Sequence, residues 1–217
     1  MEIIEILKNN TLFKGVTEDD ILRILDSIPH AEKSYKPGET IMRQGDIAKN
    51  IGIVLCGSAA GVKYTPSGDE VVASRMEAGR IFADVLSGAD GFASPVTVTA
   101  VSPCRILFIN YRGLVTSDNP LTLKVLQNMI QNISLKYFAQ NKRMDILTRK
   151  TVREKTLAFL DWQRELAGED EFEISLDRRL MADFLACDRA ALSRELSKLK
   201  DEGLIDYRKS HFKLLRK

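Results

Sequence analysis

From Leu121 to Ala167 the chain contains neither glycine nor proline. The stretch ahead of it is the opposite: Gly38, Gly45, Gly57, Gly68 and Gly79 are separated by short aliphatic or β-branched runs, "TIM", "IGIVL", "AAGVKY" and "EVVASRM". Turn signals recurring about every ten residues between short strands predict an antiparallel barrel or sandwich. "PSGDE" reads as a hairpin tip, and "SPVTVTAVSPCRILFI" closes the β region with Val96 and Val98 in alternation and a denser run from Ile106 to Ile109. A helical lead-in precedes the strands. In "TEDDILRIL", Thr17 is placed to cap, acids fill the first turn, and Ile21, Leu22, Ile24 and Leu25 share a side.

Asn119-Pro120 then opens a long helix. Leu126, Ile130, Ile133, Tyr137, Met144 and Leu147, with Gln140 or Asn141 between, follow the alternating four-and-three spacing of a heptad seam. Such a seam needs a cover, which is either a second copy of the chain in a parallel homodimer or the chain's own barrel. Lys136, Lys142, Arg143, Arg149, Lys150, Arg153 and Lys155 crowd its second half and the start of the next segment. The phase of the apolar pattern resets after Leu147, which places a hinge near Thr148. Val152, Thr156, Phe159 and Leu160 then carry a new helix. The domains expected are therefore 1–118, 119–147 and 148–217.

The last part combines a strand ("EFEISL"), a short helix capped by Asp177, a turn at Cys187-Asp188, a second helix burying Leu192, Leu196 and Leu199, and two short strands around Lys209-Ser210. This order is a winged helix-turn-helix. Ala182 and Ala186 are small where the helices approach. On the outward face of the second helix, Arg189 and Arg194 carry the planar fork that can hold guanine O6 and N7 together, which discriminates by roughly 1–3 kcal/mol. Ala190 admits a close backbone or a thymine methyl, and Ser193 reaches a base edge or a phosphate. Arg178, Arg179, Ser197, Lys198, Lys209 and Ser210 are candidates for phosphate contacts, which fix position without reading sequence. The alternative is an ordinary three-helix packing unit with a solvated basic face.

Charge is distributed accordingly. Residues 1–135 carry 13 bases and 15 acids, whereas residues 178–217 carry 11 bases and 6 acids. A basic C-terminal part suits a polyanionic partner. The longest apolar run, Ile51 to Gly57, is far short of the roughly 20 residues of a membrane helix, and "MEIIEILKNN" lacks a basic leader and a small-residue cleavage site, so no membrane partner is expected and the cytoplasm is the expected compartment. Three dispersed cysteines, Cys56, Cys104 and Cys187, argue against a disulfide framework and read as small buried hydrophobes; His30 and His211 complete no local metal set. Neither a nucleophile with a His–carboxylate signal nor a phosphate loop is present, so no enzyme is expected.

Taken together, "KPGETIMRQGD", "LCGSAAGVKYTPSGDE", "AGRIFADVL" and "CDRAALSRELSKLKDEGLI" resemble, in order and spacing, the Crp/Fnr family of bacterial transcription regulators. The resemblance implies an α+β chain: an antiparallel β-roll of the double-stranded β-helix or jelly-roll type, a dimerisation helix and a winged helix-turn-helix. It also implies a homodimer that binds a palindromic operator in double-stranded DNA and contacts RNA polymerase. Where the family has an acid that accepts from cytosine, this sequence has Ala190, so the family's operator does not carry over. The effector segment departs further. A family Gly-Glu-Leu turn is replaced by Ala83-Asp84-Val85, and the Arg-Ser pair for the cyclic phosphate by Ser94-Pro95. A buried phosphate without a cation is costly, and Pro95 has no N–H, so cyclic AMP is not expected as effector.

The resemblance offers no cofactor either: an N-terminal cysteine cluster for iron–sulfur and a β-roll histidine for haem are both missing. What remains is a pocket of Phe82, Ala83, Asp84, Val85, Ser94, Pro95, Val96, Thr97 and, from the long helix, Phe138. It either takes an unidentified small organic effector or is simply filled. Two variants of function stay open: a thiol-redox regulator, with Cys187 held as thiolate by a helix N-terminus, and a ligand-binding dimer that acts through protein contacts without reading DNA.

Overall fold

The computed structural model describes residues 2–64, 70–89 and 91–215. Pro66 to Asp69, where the hairpin tip is expected, lie outside the described residues. The chain divides into two compact units, Met1–Leu135 and Lys136–Lys217, and the long helix runs across the division.

The first unit begins with α1 (Glu2–Lys8), a 3-10 turn (Thr11–Phe13) and α2 (Glu18–Ser27). Thr17 caps α2 by accepting from the Asp20 N–H, with Glu18, Asp19 and Asp20 in the first turn. Ile21, Ile24 and Leu25 are buried, whereas Leu22 is exposed: it falls one step around the helix, off the stripe that meets the barrel. The strands follow as β1 (His30–Tyr35), β2 (Thr40–Met42), β3 (Asn50–Cys56), β4 (Ser58–Tyr64), β5 (Glu70–Glu77) and β6 (Ile81–Phe82). After the short α3 (Asp84–Gly88) come β7 (Thr97–Ala100), β8 (Cys104–Asn110) and α4 (Tyr111–Thr116), and then α5 (Thr122–Leu147).

Two antiparallel sheets form, ordered β1-β8-β3-β6 and β2-β7-β4-β5. Period-two alternation assigns their faces. Val54, Phe82, Cys104 and Ile106 from the first sheet meet Ala59, Met76, Val98 and Ala100 from the second in one core. The other face of the first sheet, with Ile51, Ile53, Leu55, Leu107 and Ile109, packs on α1, α2, α4 and the start of α5. β3 is thus covered on both sides, which is why "IGIVL" reads as one apolar run. Gly52 lacks a side chain for a local reason: a Cβ there would overlap the Phe82 ring. Of the cysteines, only Cys104 is fully buried; Cys187 is half-buried, and Cys56, at the end of β3 beyond a register shift, is exposed.

Val125 and Met129 of α5 are buried in the first unit's core. Asn128 beside them donates from its amide to the carbonyls of Leu12 and Lys14, each at 2.9 Å. Leu126 and Ile133 pack in part against the same core, so these two seam residues are shared with the chain's own barrel. Ile130, Tyr137 and Met144, a heptad apart, are 62 to 65 % exposed. Leu123, a heptad earlier and not part of the expected seam, is exposed as well.

The second unit holds the rest of α5, then α6 (Val152–Ala167), β9 (Glu171–Glu173), α7 (Arg178–Phe184), α8 (Arg189–Asp201), β10 (Ile205–Arg208) and β11 (His211–Leu214). Thr151 and Glu154 form a reciprocal capping box at the start of α6. Ile146, Thr156, Phe159 and Leu160 are buried. The three apolar ones join Phe172, Met181, Leu192, Leu196, Leu199, Ile205 and Phe212 in a single core. Among the described residues no helix is long and apolar enough to cross a membrane.

Candidate nucleic-acid interface

The second unit's two short helices are set by their caps. Asp177 accepts from the Leu180 N–H at 2.8 Å and Asp188 from the Ala191 N–H at 2.9 Å. The Leu180 bond is the main reason that the Asp177 carboxyl is held below its ordinary range, with Arg179 and Arg189 adding to it. Between the helices the chain turns through Ala186 at φ 48°, and Cys187 donates its N–H to the Ala182 carbonyl. Ala182 is buried between the helices as expected. Ala186 is exposed instead, and takes a left-handed backbone that is uncommon for a residue with a Cβ.

Helix α8 buries Leu192, Leu196 and Leu199 completely. The opposite stripe, Arg189, Ala190, Ser193, Arg194, Ser197 and Lys198, is exposed along its length. Neither the Arg189 nor the Arg194 guanidinium has a hydrogen-bond or ion-pair partner among the described residues. Ser197 turns inward to its own helix, donating to the Ser193 carbonyl at 3.1 Å. The wing is the antiparallel pair β10–β11, extended by β9, with Lys209 at φ 55° and Ser210 at its turn.

Arg178 ties that wing to α7. Its guanidinium lies 5.0 Å from the Tyr207 ring and 4.9 Å from the Phe212 ring, and it donates to the Lys209 carbonyl at 2.8 Å. Burial pulls its pKa below the ordinary arginine value. Ser210 likewise donates to the Glu173 carboxylate. Arg178 and Ser210 therefore have structural partners already, while the charged ends of Arg179 and Lys209 have no hydrogen-bond or ion-pair partner among the described residues. The clamp gathers Asp177, Arg178, Arg179, Arg189, Lys209 and Ser210 around one open cleft of about 550 Å³. A cleft whose rim holds four cations and one acid suits an oxyanion.

Several of the basic residues at the end of α5 and the start of α6 serve this frame. Lys142 pairs with Glu165, and Arg143 lies over the Phe184 ring at 5.0 Å. Arg153 bridges Glu195 and Glu202, which pushes its pKa further up, and Lys155 donates to the Leu185 carbonyl. The thiol of Cys187 is pushed up, chiefly by burial and partly by Asp188, against an opposing effect of Lys155. This runs against the expectation of a thiolate at this turn: desolvation outweighs the lowering by Lys155.

The expected effector residues divide. Phe82, Ala83 and Val96 border a cleft of about 340 Å³ in the first unit, whose polar members are Ser74, Arg75 and Arg80. None of those three is among the expected residues, because β5 and the turn after it carry no effector signal in the sequence. Asp84 and Ser94 are buried in the frame. The Ser94 hydroxyl donates to the Val96 carbonyl at 2.7 Å and accepts from the Val96 N–H, and the Thr97 hydroxyl accepts from the Gln44 N–H. Val85 is half-exposed, Pro95 is exposed, and Phe138 belongs to the second unit with its ring exposed.

Comparison with known proteins gives these units counterparts. Residues 32–116 match the cyclic nucleotide-binding domain family and residues 154–217 the Crp-like helix-turn-helix domain family. The transcriptional activator protein FnrA of Stutzerimonas stutzeri is 23% identical over 188 residues, covering 84% of this chain and 75% of that protein. The cAMP-activated global transcriptional regulator CRP of Pasteurella multocida is 22% identical over 177 residues, covering 79% of this chain and 83% of that protein. Among solved structures, the catabolite activator protein of Thermus thermophilus shares the fold with a TM-score of 0.56 at 19% identity, over 94% of this chain and 93% of that one.

Proposed function

Because the chain belongs to the Crp/Fnr family of DNA-binding transcription regulators, whose members regulate transcription rather than catalyse reactions, we propose that it reads a palindromic operator as a homodimer under the control of a small-molecule effector other than cyclic AMP. The observation that carries this reading is the free, exposed pair Arg189 and Arg194 on one stripe of α8, opposite its three buried leucines.

Helix α8 enters the major groove with its first turns, where the helix dipole favours phosphate. Arg189 and Arg194 take guanine edges, and Ala190 lies against a thymine methyl. Ser193 bonds a base edge or phosphate. Arg179, Lys198 and Lys209 neutralise backbone phosphates, and Arg178 acts by holding the wing in place. Two copies pair along the exposed heptad positions of α5, so that two recognition helices meet half-sites one helical turn, about 34 Å, apart. On promoter DNA the dimer contacts RNA polymerase.

The case against cyclic AMP rests on donors. Ser94 uses its hydroxyl on its own neighbour, and Pro95 has no N–H to give, so segment 94–95 supplies nothing to a cyclic phosphate. Three cysteines divided between the two units, Cys56 and Cys104 in one and Cys187 in the other, do not fit a four-thiolate iron–sulfur site. Selection of bound duplexes from a random library tests the function: recovery of an inverted repeat is the expected result, and binding without sequence preference overturns it. Calorimetry with cyclic AMP is expected to show no micromolar binding.

A further inference from the structure

We propose that the open side of the first unit's barrel carries a second small-molecule site, which adjoins the cleft at Arg75 and Arg80 across Met42, Phe82 and Ala83 and takes an organic monocarboxylate. Edge strand β1, β2, β6, β8 and the segment Asp46 to Asn50 border an open cleft of about 390 Å³, within the size range of ligand pockets.

The register of β1 against β8 pairs Ala31 with Phe108, Lys33 with Ile106 and Tyr35 with Cys104. Lys33 and Tyr35 therefore share the face on which Cys104 and Ile106 build the core between the sheets. Lys33 is exposed at the rim of this face, with its ammonium 6.0 Å from the centre of the Phe108 ring. No carboxylate partners it or Lys49 among the described residues. Asp46, the one acid on the cavity, already accepts from the Arg43 N–H at 2.8 Å.

Charge and shape then point to one class of occupant. Two ammonium groups and one carboxylate leave a single positive charge, which calls for one negative charge. The walls are Ile41, Met42, Ile47 and the edge-to-face pair Phe82 and Phe108, 6.3 Å apart; these suit an alkyl or aryl body. Burial keeps the Tyr35 phenol neutral, since its pKa is pushed up, so it stays a hydrogen donor beside the carboxylate. The competing role for a lysine on an edge strand is protection against strand addition, and that role needs no ligand.

Calorimetry on the full chain without DNA separates the two, independently of whether the protein reads an operator. The probe is sodium octanoate, with octanamide as the uncharged match. Octanoate is expected to saturate one site per chain, and Lys33→Gln to weaken it by at least about tenfold, the loss of a charge-assisted bond. Lys33→Arg is expected to retain binding, octanamide to fail, and Arg80→Gln in the neighbouring cleft to leave octanoate affinity unchanged. No saturable binding at millimolar octanoate, equal binding of the amide, or an affinity unaffected by Lys33→Gln would each overturn the proposal.

Discussion

At the residue scale, the arginines of the second unit divide by their partners. Arg178 is stacked between the wing and α7, and its guanidinium is engaged with two rings and a carbonyl. Arg189 and Arg194 have no hydrogen-bond or ion-pair partner among the described residues, and Arg189 adds only a longer-range charge effect on Asp177. Arg178→Ala is therefore expected to cost about 1–3 kcal/mol of stability, from two half-buried cation–π contacts and a hydrogen bond. Arg189→Ala is expected to stay within about 0.5 kcal/mol of the parent. Urea denaturation followed by the fluorescence of Trp162, the single tryptophan and a ring stacked on Phe184, measures both. Equal losses would show that Arg189 also supports the fold. Sequence reasoning placed Arg178 among the phosphate contacts because it sees charge and exposure but not the aromatic rings of a wing thirty residues away.

At the element scale, caps and ion pairs decide how the second unit responds to acid. Asp177 is held below its ordinary range by the Leu180 N–H, Glu202 by Arg153 and Asp206 by Lys200. Each carboxylate is more acidic folded than unfolded, so its contribution is complete above the unfolded value near pH 4 and is lost as pH falls through the folded value. The Trp162 transition is expected to move to lower urea as pH drops from about 5 towards 3, and a midpoint independent of pH in that window would contradict this. The element pattern was legible where apolar periodicity was strong. Leu192, Leu196 and Leu199 announced α8, and "IGIVL" announced β3. Strand β1 was not, because "HAEKSY" is an edge strand exposed from His30 to Ser34, so no alternation marks it. The short β6 and α3 were hidden for a related reason: Ala83 at φ 58° separates them, and no glycine signals the turn.

For the whole molecule, the seam on α5 carries two roles at once. Val125, Met129 and parts of Leu126 and Ile133 face the first unit's own core, while Leu123, Ile130, Tyr137 and Met144 remain exposed at heptad spacing. The heptad signal was readable in the sequence, but its partition was not, because Asn128 fastening α5 to Leu12 and Lys14 is a contact across more than a hundred residues. Glutamate at both Ile130 and Tyr137 is expected to give a monomer by sedimentation while the urea transition of Trp162 is unchanged. A dimer that survives both charges would refute pairing along this face.

The claim that Arg189 and Arg194 read DNA bases is tested most directly by measuring, at one fixed salt concentration, how strongly the protein distinguishes a selected operator from the same duplex with its guanines replaced one at a time. The parent is expected to lose about 1–3 kcal/mol at each contacted guanine, and Arg189→Ala/Arg194→Ala to bind all the duplexes alike and weakly while remaining dimeric. Undiminished discrimination by that double variant would contradict the account.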